Sequence, residues 1–453
     1  MTEKVSLRTT APVGLRRALS LRDLILFGVI LIQPTAPLPI FGIIGQEAKG
    51  HVALTILLAM VAMSFTAVSY GRMATAYPGS GSAYSYVGKE IHPLLGQLAG
   101  WVMILDYVMN PVICIIWSSL AVRNIVPQIP YAASALFFTV LFTGINLQAI
   151  QTSARFNRGL AIGLGTVIAI FFVAALRYIS HQSVDTASLV KPFYDPATFA
   201  LPSILSGASL AALTYIGFDG VSLLAEEAEN PRRNILLATV ATCLITGLLS
   251  TFEVYFGQLV WPQFDQFPNV ETAFSFVAGR AGGPWLFHSV NAALLIAVIG
   301  AGVAAQLGAA RLMYAMGREN VLPERFFGAL EGRRRVPRNN VLLVGAVALA
   351  GSFLLDYQLS CEMLNFGAFL AFMGVNIAAL IRYYFRADER RLISLLSPVL
   401  GFMLCFYLWL NLSFHAKAAG ALWMACGLIY ALIRWRFCNA PIRTGVLDEV
   451  QGH

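Results

Sequence analysis

Two acidic residues lie inside long apolar stretches of this sequence, where a charge is costly. Asp106 occurs in WVMILDYVMNP and Asp219 in YIGFDG. If these stretches cross a membrane, a lone charge at mid-depth costs at least about 2.5 kcal/mol and usually marks a substrate pathway or a proton relay. Both carboxylates are therefore candidates for those roles. The alternatives are a helix–helix partner role for Asp106 and a helix cap for Asp219, and capping is compatible with carrying a proton.

The first apolar stretch contains LIQPTAPLPIFG, which places Pro34, Pro37 and Pro39 within six residues. A proline inside a helix removes a backbone hydrogen bond and costs about 3 kcal/mol or more, so this stretch predicts a break. Gly217 and Gly220 predict a second, softer break in YIGFDG. Two interrupted spans that are five spans apart and opposite in direction point to an inverted-repeat transporter with its substrate site between them. The alternative is an ordinary proline kink relieved by neighbouring helices.

Uncharged polar and aromatic side chains at similar depth extend the site predicted from the residues, and these are Gln33, Thr35, Thr214, Tyr215, Phe218 and Asn365. Tyr215 and Phe218 flank the second break and are the aromatic residues that we expect to contact substrate. Near the cytoplasmic end of the same span, Glu226 and Glu227 are expected to act as gate or loop partners of Arg232 and Arg233.

The composition is that of a membrane protein. Of 453 residues, 58% are hydrophobic and 12% are charged, with a mean hydropathy of +0.70, whereas soluble domains carry about 25% charged residues. The apolar runs are too long for barrel strands and do not alternate, so we predict an all-α integral membrane protein. Twelve spans are predicted, at 22–47, 52–74, 94–122, 131–149, 158–179, 202–228, 235–260, 285–316, 340–357, 362–385, 392–411 and 416–436.

The basic residues predict the orientation of the chain. An even number of spans puts both termini on one side, and 25 of the 31 lysines and arginines fall in segments on that side. The six on the other side are Lys49, Arg123, Arg177, Lys191, Arg280 and Lys417. The positive-inside rule therefore predicts cytoplasmic termini. The net charge of +8 reflects this topology and not nucleic-acid binding, and no cleavable signal peptide is expected.

Neither a catalytic centre nor a metal or cofactor site is predicted. The six cysteines and six histidines lack ligand spacing, and no nucleophile and base converge, which argues against an enzyme. A channel would need repeated polar rings. Val290 to Asn320 contains no serine or threonine, so the hydroxyl ligands of a sodium site are missing there. The fifth span has no intramembrane lysine to supply a fixed cation. A proton driven by the proton motive force is the simplest coupling ion, with uncoupled exchange as the fallback.

Four motifs resemble one known family. They are YPGSGSAYSYVGKEIHP (77–93), GWVMILDYVMNP, YIGFDG followed by EEAENPRRNI, and RLMYAMGRENVLPERFFG (311–328). The chain is similar in these to the amino acid–polyamine–organocation permeases, and most like bacterial putrescine importers. The resemblance implies a LeuT-type fold of five-plus-five inverted repeats with two additional helices, and with helices 1 and 6 unwound at mid-membrane, in a bacterial inner membrane.

The resemblance also implies the boundaries of the parts. These are a cytoplasmic tail 1–21, a first repeat 22–179, an extracytoplasmic loop 180–201, a second repeat 202–385, two further helices within 386–436, and a cytoplasmic tail 437–453. It implies that substrate is held by unwound backbone, at Ile32, Gln33, Pro34, Thr35, Ala36 and Pro37 in the first break and at Leu213 to Gly217 in the second. Asp219 then occupies the proton-linked acidic position, with Asp106 as a second candidate for proton coupling.

One departure from the family pattern bears on the substrate. The first span has Gln33-Pro34-Thr35 where the family usually has a glycine-rich stretch that binds an α-carboxylate. A diamine has two cationic ends and no carboxylate, so Asp106 and Asp219 suit it electrostatically. We predict a proton-coupled importer of a small cationic amine, putrescine above all. The alternatives are an amino acid permease and a non-transporting receptor. Membrane lipids are expected partners, nucleic acid is not, and the oligomeric state is expected to be a monomer or homodimer.

Overall fold

The structure, a computed structural model, describes residues 19–33, 35–77, 83–148, 154–182, 185–225, 227–331, 335–387 and 390–437. Its regular elements are helices, and the described part contains no strand beyond isolated bridges at Leu19–Ala228 and Glu331–Val336. The helices are α1 Leu21–Ile32, α2 Phe41–Glu47, α3 Val52–Ala76, α4 Ala83–Glu90, α5 Pro93–Ile125, α6 Tyr131–Leu147, α7 Ala154–Ser180, α8 Thr186–Val190, α9 Leu201–Ala211, α10 Pro231–Val260, α11 Ala273–Arg318, α12 Glu324–Phe327, α13 Arg338–Leu354, α14 Tyr357–Leu380, α15 Leu392–Leu410 and α16 Phe414–Phe437.

Nine membrane-length apolar segments occur among the described residues. They correspond to the second, third, fifth to eighth and tenth to twelfth predicted spans. The predicted fourth and ninth spans are the apolar helices α6 and α13, of 17 residues each. The centre of the bundle is formed by α3, α5, α10 and α14, because α10 packs on α3 while α14 and α11 pack on α5.

The predicted first span, 22–47, is two helices joined by turns. Ser20 and Asp23 form a reciprocal capping box that begins α1, which satisfies two of the N–H groups that a helix start leaves free. Helix α1 ends at Ile32, and α2 begins at Phe41. The prolines explain the gap between them, since Pro37 and Pro39 cannot donate the hydrogen bonds of a continuous helix. Pro34 lies outside the described residues.

The predicted sixth span also changes geometry along its length. Helix α9 passes into a first 3₁₀ segment, Ala212–Tyr215, and a second 3₁₀ segment, Phe218–Leu224, follows it. Between them Gly217 has φ 116°, in the left-handed region that glycine adopts without the clash of a Cβ.

The eighth span and one loop differ from their predictions. Helix α11 begins at Ala273, twelve residues before the predicted start at 285, and continues through a kink at Gly283. Pro284 follows this kink, where proline at the start of the second helical stretch needs no N–H donor. The segment after the second span, treated as a loop from sequence, contains α4.

The ends of the two interrupted spans are joined by main-chain hydrogen bonds. Leu19 N–H donates to the Glu227 carbonyl at 3.0 Å, and Glu229 N–H donates to the Leu19 carbonyl at 2.9 Å. This pairing holds the start of α1 against the chain that follows the second 3₁₀ segment.

The backbone at Gly217 leads to a stability prediction. A Cβ at this position would meet no atom closer than 3.7 Å, so the cost of Gly217→Val is conformational, about 2 kcal/mol for a left-handed β-branched residue. We expect a lower apparent melting temperature in detergent. Gly165→Val on α7 is the control, because that helical glycine has open space around it and valine is the better helix former. Equal melting temperatures for the two variants would contradict this account of Gly217.

Candidate functional site

The structure places the two interruptions side by side. A Cβ built on Gly217 would lie 3.7 Å from the Ile32 Cα and 3.7 Å from the Leu31 carbonyl oxygen. Gly220 lies against the Leu31 side chain so closely that any Cβ there would collide with it. The end of α1 and the junction between the two 3₁₀ segments therefore form one region of irregular backbone. Helix ends leave carbonyl and N–H groups without helical partners, so such a region can offer main-chain groups to a ligand.

The first interruption is held by short turns. Gln33 has φ 62°, a left-handed conformation that costs a non-glycine residue of order 1–3 kcal/mol and often occurs at functional sites. Ala36 N–H donates to the Gln33 carbonyl at 2.9 Å, and Leu38 N–H donates to the Thr35 carbonyl at 3.1 Å. Thr35 and Pro37 are buried, whereas Gln33 and Ala36 are half-buried. These turns hold Gln33 and residues 35–38, part of the predicted backbone site, in a defined conformation.

The two predicted carboxylates, Asp106 and Asp219, lie within electrostatic range of each other. Asp106 on α5 is 8% exposed and packs against Gly367 of α14. Asp219, at the start of the second 3₁₀ segment, acts electrostatically on Asp106, and both carboxylates act on Tyr107. Asp106 makes no side-chain hydrogen bond to any described residue, so it is available to a cationic ligand.

The Asp219 carboxylate is next to backbone polar groups. The main chain of Gly217 and of Gly220 lies in hydrogen-bonding range of this carboxylate. The expected capping role is not seen, because Gly217 is the N-cap of the second 3₁₀ segment and no side chain caps it. Asp219 is half-buried, and its other neighbour of note is Tyr70, on which it also acts electrostatically.

The two aromatic residues predicted to contact substrate are tied into packing. Tyr215 is fully buried, and its hydroxyl donates to the Ile56 carbonyl at 2.8 Å. Phe218 is fully buried as well, with its ring centroid 5.4 Å from that of Tyr70 and 5.3 Å from that of Phe372. These contacts give both rings a defined role in positioning the second interruption.

Two predicted polar residues have buried atoms without hydrogen-bond partners. They are the Thr214 hydroxyl and the Asn365 side-chain carbonyl. The Asn365 amide donates to the Ser209 carbonyl at 2.8 Å, which directs α14 toward the end of α9. Leu213 beside Thr214 is half-buried. An unpaired buried polar atom is costly, so the Thr214 hydroxyl and the Asn365 carbonyl are two atoms of the predicted site that have hydrogen-bonding capacity to spare.

The predicted gate residues are only partly described. Glu226 lies outside the described residues. Glu227 takes part in the pairing with Leu19 through its carbonyl, and no ion pair joins its side chain to Arg233 in the described part of the chain. In place of the expected side-chain gate, the described residues show a main-chain hydrogen bond between Leu19 and Glu227.

Sequence reasoning missed a buried ionic cluster at Glu90. The Glu90 side chain is fully buried and pairs with Arg382 and with Arg386, each at 2.7 Å. Tyr77 donates to the same carboxylate at 2.7 Å and accepts from Arg382 at 3.0 Å. Tyr77 and Glu90 stand in YPGSGSAYSYVGKE, but their basic partners are about three hundred residues away, and only the fold reveals the pairing.

The Tyr77 hydroxyl predicts an alkaline loss of stability. Burial, followed by the hydrogen bond to Glu90, raises the pKa of Tyr77 to about 12 from its ordinary value of 10.0. A raised pKa means that the neutral phenol stabilises the fold, fully below pH 10 and progressively less as the pH approaches 12. We expect the melting temperature of the wild type to fall across this interval and that of Tyr77→Phe to fall less. Parallel curves for the two proteins would contradict the assignment.

Sequence reasoning also missed Glu253, although the criterion that selected Asp106 and Asp219, an acidic residue inside an apolar span, applies to it. Glu253 stands inside the predicted span 235–260 and is 4% exposed on α10. Its Oε2 atom is buried and has no hydrogen-bond partner. Within the described residues, no three His, Cys, Asp or Glu side chains are grouped as metal ligands.

Comparison with known proteins gives concordant similarities over nearly the whole chain. The family described as "Amino acid permease" matches residues 28–424. The low-affinity putrescine importer PlaP of Escherichia coli K12 is 33% identical over 433 residues, covering 93% of this chain and 94% of PlaP. The branched-chain amino acid permease BcaP of Bacillus subtilis is 25% identical, with 93% of each chain covered. Cationic amino acid transporter 3, mitochondrial, of Arabidopsis thaliana is 27% identical, with 83% of this chain and 64% of the relative covered.

Proposed function

Because the chain belongs to the amino acid permease family, whose members are multi-pass membrane transporters, we propose that it imports a small cationic amine, putrescine above all, together with a proton. Import would proceed by alternating access, in which the region between the two interruptions opens to each side in turn. This function accounts for an acidic interior in a chain that is otherwise apolar.

The observation that carries the proposal is the pair of carboxylates, Asp106 and Asp219, beside the irregular backbone. A diamine presents two ammonium groups, and each would gain a charge-assisted hydrogen bond in a low-dielectric site. Asp106 has no competing hydrogen bond among the described residues and is assigned to substrate binding. Asp219 is assigned to the coupled proton, since a partly buried carboxyl can exchange its charge for a proton at modest cost. Main-chain groups at Ile32–Gln33 and at Leu213–Gly217 would complete the site.

The proposed architecture follows the same scheme. The two interruptions would lie at mid-membrane in the first and sixth of twelve spans, and the spans would form inverted repeats over 22–179 and 202–385. Both termini would be cytoplasmic in a bacterial inner membrane, with the proton motive force as energy source. Support for pairing the interruptions comes from their direct contact at Gly217 and Ile32.

An amino acid permease is the alternative, and the similarity to BcaP and to a cationic amino acid transporter favours it. In that case the conformation at Gln33 would present backbone N–H groups to an α-carboxylate. The discriminating feature is the substrate's carboxylate, which a diamine lacks.

Uptake of radiolabelled putrescine into proteoliposomes tests the proposal. We expect uptake to be stimulated by an inward proton gradient and to be competed by spermidine but not by alanine or glutamate. Uptake of labelled alanine or glutamate with no uptake of putrescine would show instead that the substrate is an amino acid. Binding without uptake of any of these compounds would identify a receptor.

A further inference from the structure

Helix α10 carries buried polar atoms that have no hydrogen-bond partner. They are the hydroxyls of Thr242, Thr246 and Ser250 and the Oε2 atom of Glu253. Two other threonines of the same helix behave differently, since Thr239 donates to the Ile235 carbonyl and Thr251 to the Gly247 carbonyl. Buried serines and threonines in helices commonly satisfy their hydroxyls in that way. The unpartnered set therefore calls for an explanation.

The four unpartnered residues share one face of the helix. At 3.6 residues per turn they fall within an arc of about 80°, and Thr242 and Glu253 are about 16 Å apart along the axis. We call these four residues the α10 polar track. Thr251 lies about 100° outside this arc. Thr239 lies on the same face as the track but is not part of it, because its hydroxyl donates to the Ile235 carbonyl of its own helix.

The track faces the two interrupted spans. At one end Thr242 lies against Gly28 of α1 and near Val221 of the second 3₁₀ segment, since a Cβ on Gly28 would collide with both side chains. At the other end Gly257, one turn beyond Glu253, faces Phe41, the first residue of α2. The track therefore extends from α1 to α2, alongside the break between these two helices.

One end of the track also reaches the proposed proton site. Thr242 and Val221 both lie against Gly28, and Val221 follows Asp219 by two residues in the second 3₁₀ segment. The positive-inside rule places the Glu253 end nearer the outer surface. The polar atoms thus connect a carboxyl nearer the outside with the carboxyl assigned to the coupled proton.

Glu253 has no charged partner. Among the described residues the Glu253 carboxyl forms no ion pair, and its Oε2 atom has no hydrogen-bond partner. Titratable groups on the elements that pack against α10 include Asp23 on α1, Tyr70 on α3, Arg177 on α7, Tyr215 and Asp219 in the sixth span, and Arg280 on α11. A buried carboxylate without a cation is unfavourable, so the group is suited to exchanging a proton.

We propose that the α10 polar track is a proton path, in which Glu253 takes up a proton from the outer side and the hydroxyls of Ser250, Thr246 and Thr242, about 6 Å apart and bridged by water, pass it to Asp219. The inference rests on the proposed function. In this step the Glu253 carboxylic acid loses one proton and the Asp219 carboxylate gains one, so the charge of the protein is unchanged. Glu253 is a proton donor to the path and not a ligand of the substrate.

The test measures two quantities separately: the rate of uptake, which depends on how fast the proton is delivered, and the final accumulation ratio, which depends on the coupling. Glu253→Gln and Thr246→Val should slow gradient-driven uptake at neutral outside pH, the former roughly ten- to hundredfold, near the lower limit for a positioned proton donor. The slowing should lessen at acidic outside pH. The final accumulation ratio should be unchanged, because a path alters how fast the proton arrives and not how many move. Thr251→Val is the matched control and should equal the wild type, since its hydroxyl is bonded within its own helix.

Three results would overturn the proposal. One is wild-type uptake rates in Glu253→Gln, and another is slowing by Thr251→Val as large as that by Thr246→Val. The third is sodium-stimulated uptake that Glu253→Gln abolishes, which would make the track a sodium site. If the wild type transports no putrescine, the proposed function fails separately, and infrared spectroscopy of the purified protein still decides the role of Glu253. A pH-dependent carboxyl band should then be present in Thr246→Val and missing from Glu253→Gln; an unchanged band would reject the assignment.

Discussion

Asp219→Asn is expected to abolish the accumulation of substrate against its gradient while leaving exchange of substrate across the membrane intact. Asparagine preserves the shape of the protonated carboxyl but cannot release or take up a proton. A gradient of one pH unit stores about 1.4 kcal/mol, which supports about tenfold accumulation for each coupled proton. The variant should lose this factor entirely. The measurement is the steady-state ratio of inside to outside putrescine in proteoliposomes whose membrane potential is clamped to zero.

The control for this variant is Asp185→Asn, which neutralises an exposed carboxylate in the loop before α8. It should accumulate substrate as the wild type does. Exchange of labelled for unlabelled putrescine shows that the Asp219→Asn protein is folded and binds. Undiminished, gradient-dependent accumulation in that variant would remove Asp219 from the coupling mechanism.

Arg382→Ala is expected to destabilise the protein by about 2–3 kcal/mol. It leaves the fully buried Glu90 carboxylate with Arg386, which is 60% exposed, as its one cation among the described residues. Removing a partner from a fully buried ion pair costs about 3–5 kcal/mol, and we lower this value because the Arg382 side chain is 38% exposed and screened by solvent. The free energy of unfolding in a mild detergent, from a denaturant titration, measures the change.

Arg338→Ala provides a matched comparison. Arg338 pairs with Glu331 at 2.8 Å, but both side chains are more than half exposed, 54% and 59%. Exposed pairs of this kind contribute about 0–1 kcal/mol, so the variant should be close to the wild type. A similar loss in both variants would show that burial of Glu90 does not determine the strength of its cluster. Combining Arg382→Ala with Glu90→Gln should restore part of the stability, since the uncompensated charge is then removed.

Most of the helical framework could be predicted from the sequence, because long apolar runs have few alternatives in a membrane. The prolines after Leu31 and the glycines around Asp219 indicated where the helices change, and the structure adds that the two places touch. The start of α11 was not predictable in the same way, because Gly282-Gly283-Pro284 is typical of a helix end, while here the chain resumes after a kink.

The parts of the site that depend on distant pairing were beyond the sequence. Nothing near Glu90 indicates that its partners are Arg382 and Arg386, since side chains separated by so many residues are brought together by packing alone. Glu253 is a different case. It stands inside an apolar run as Asp106 does, so the sequence could have indicated it, and the structure adds that it is buried with an unpartnered Oε2 atom.

The main-chain pairing of Leu19 with Glu227 and Glu229 has a consequence for how the protein can vary. Because donors and acceptors all belong to the backbone, almost any amino acid can stand at these positions without breaking the link, and only proline at a donor position would remove a bond. Two main-chain hydrogen bonds couple the start of α1 to the chain after the second 3₁₀ segment, so these two parts are expected to move together. If substitutions at Leu19, Glu227 and Glu229 are tolerated, that tolerance would be consistent with a role in transmitting motion through the backbone and would not show that the segment has no role.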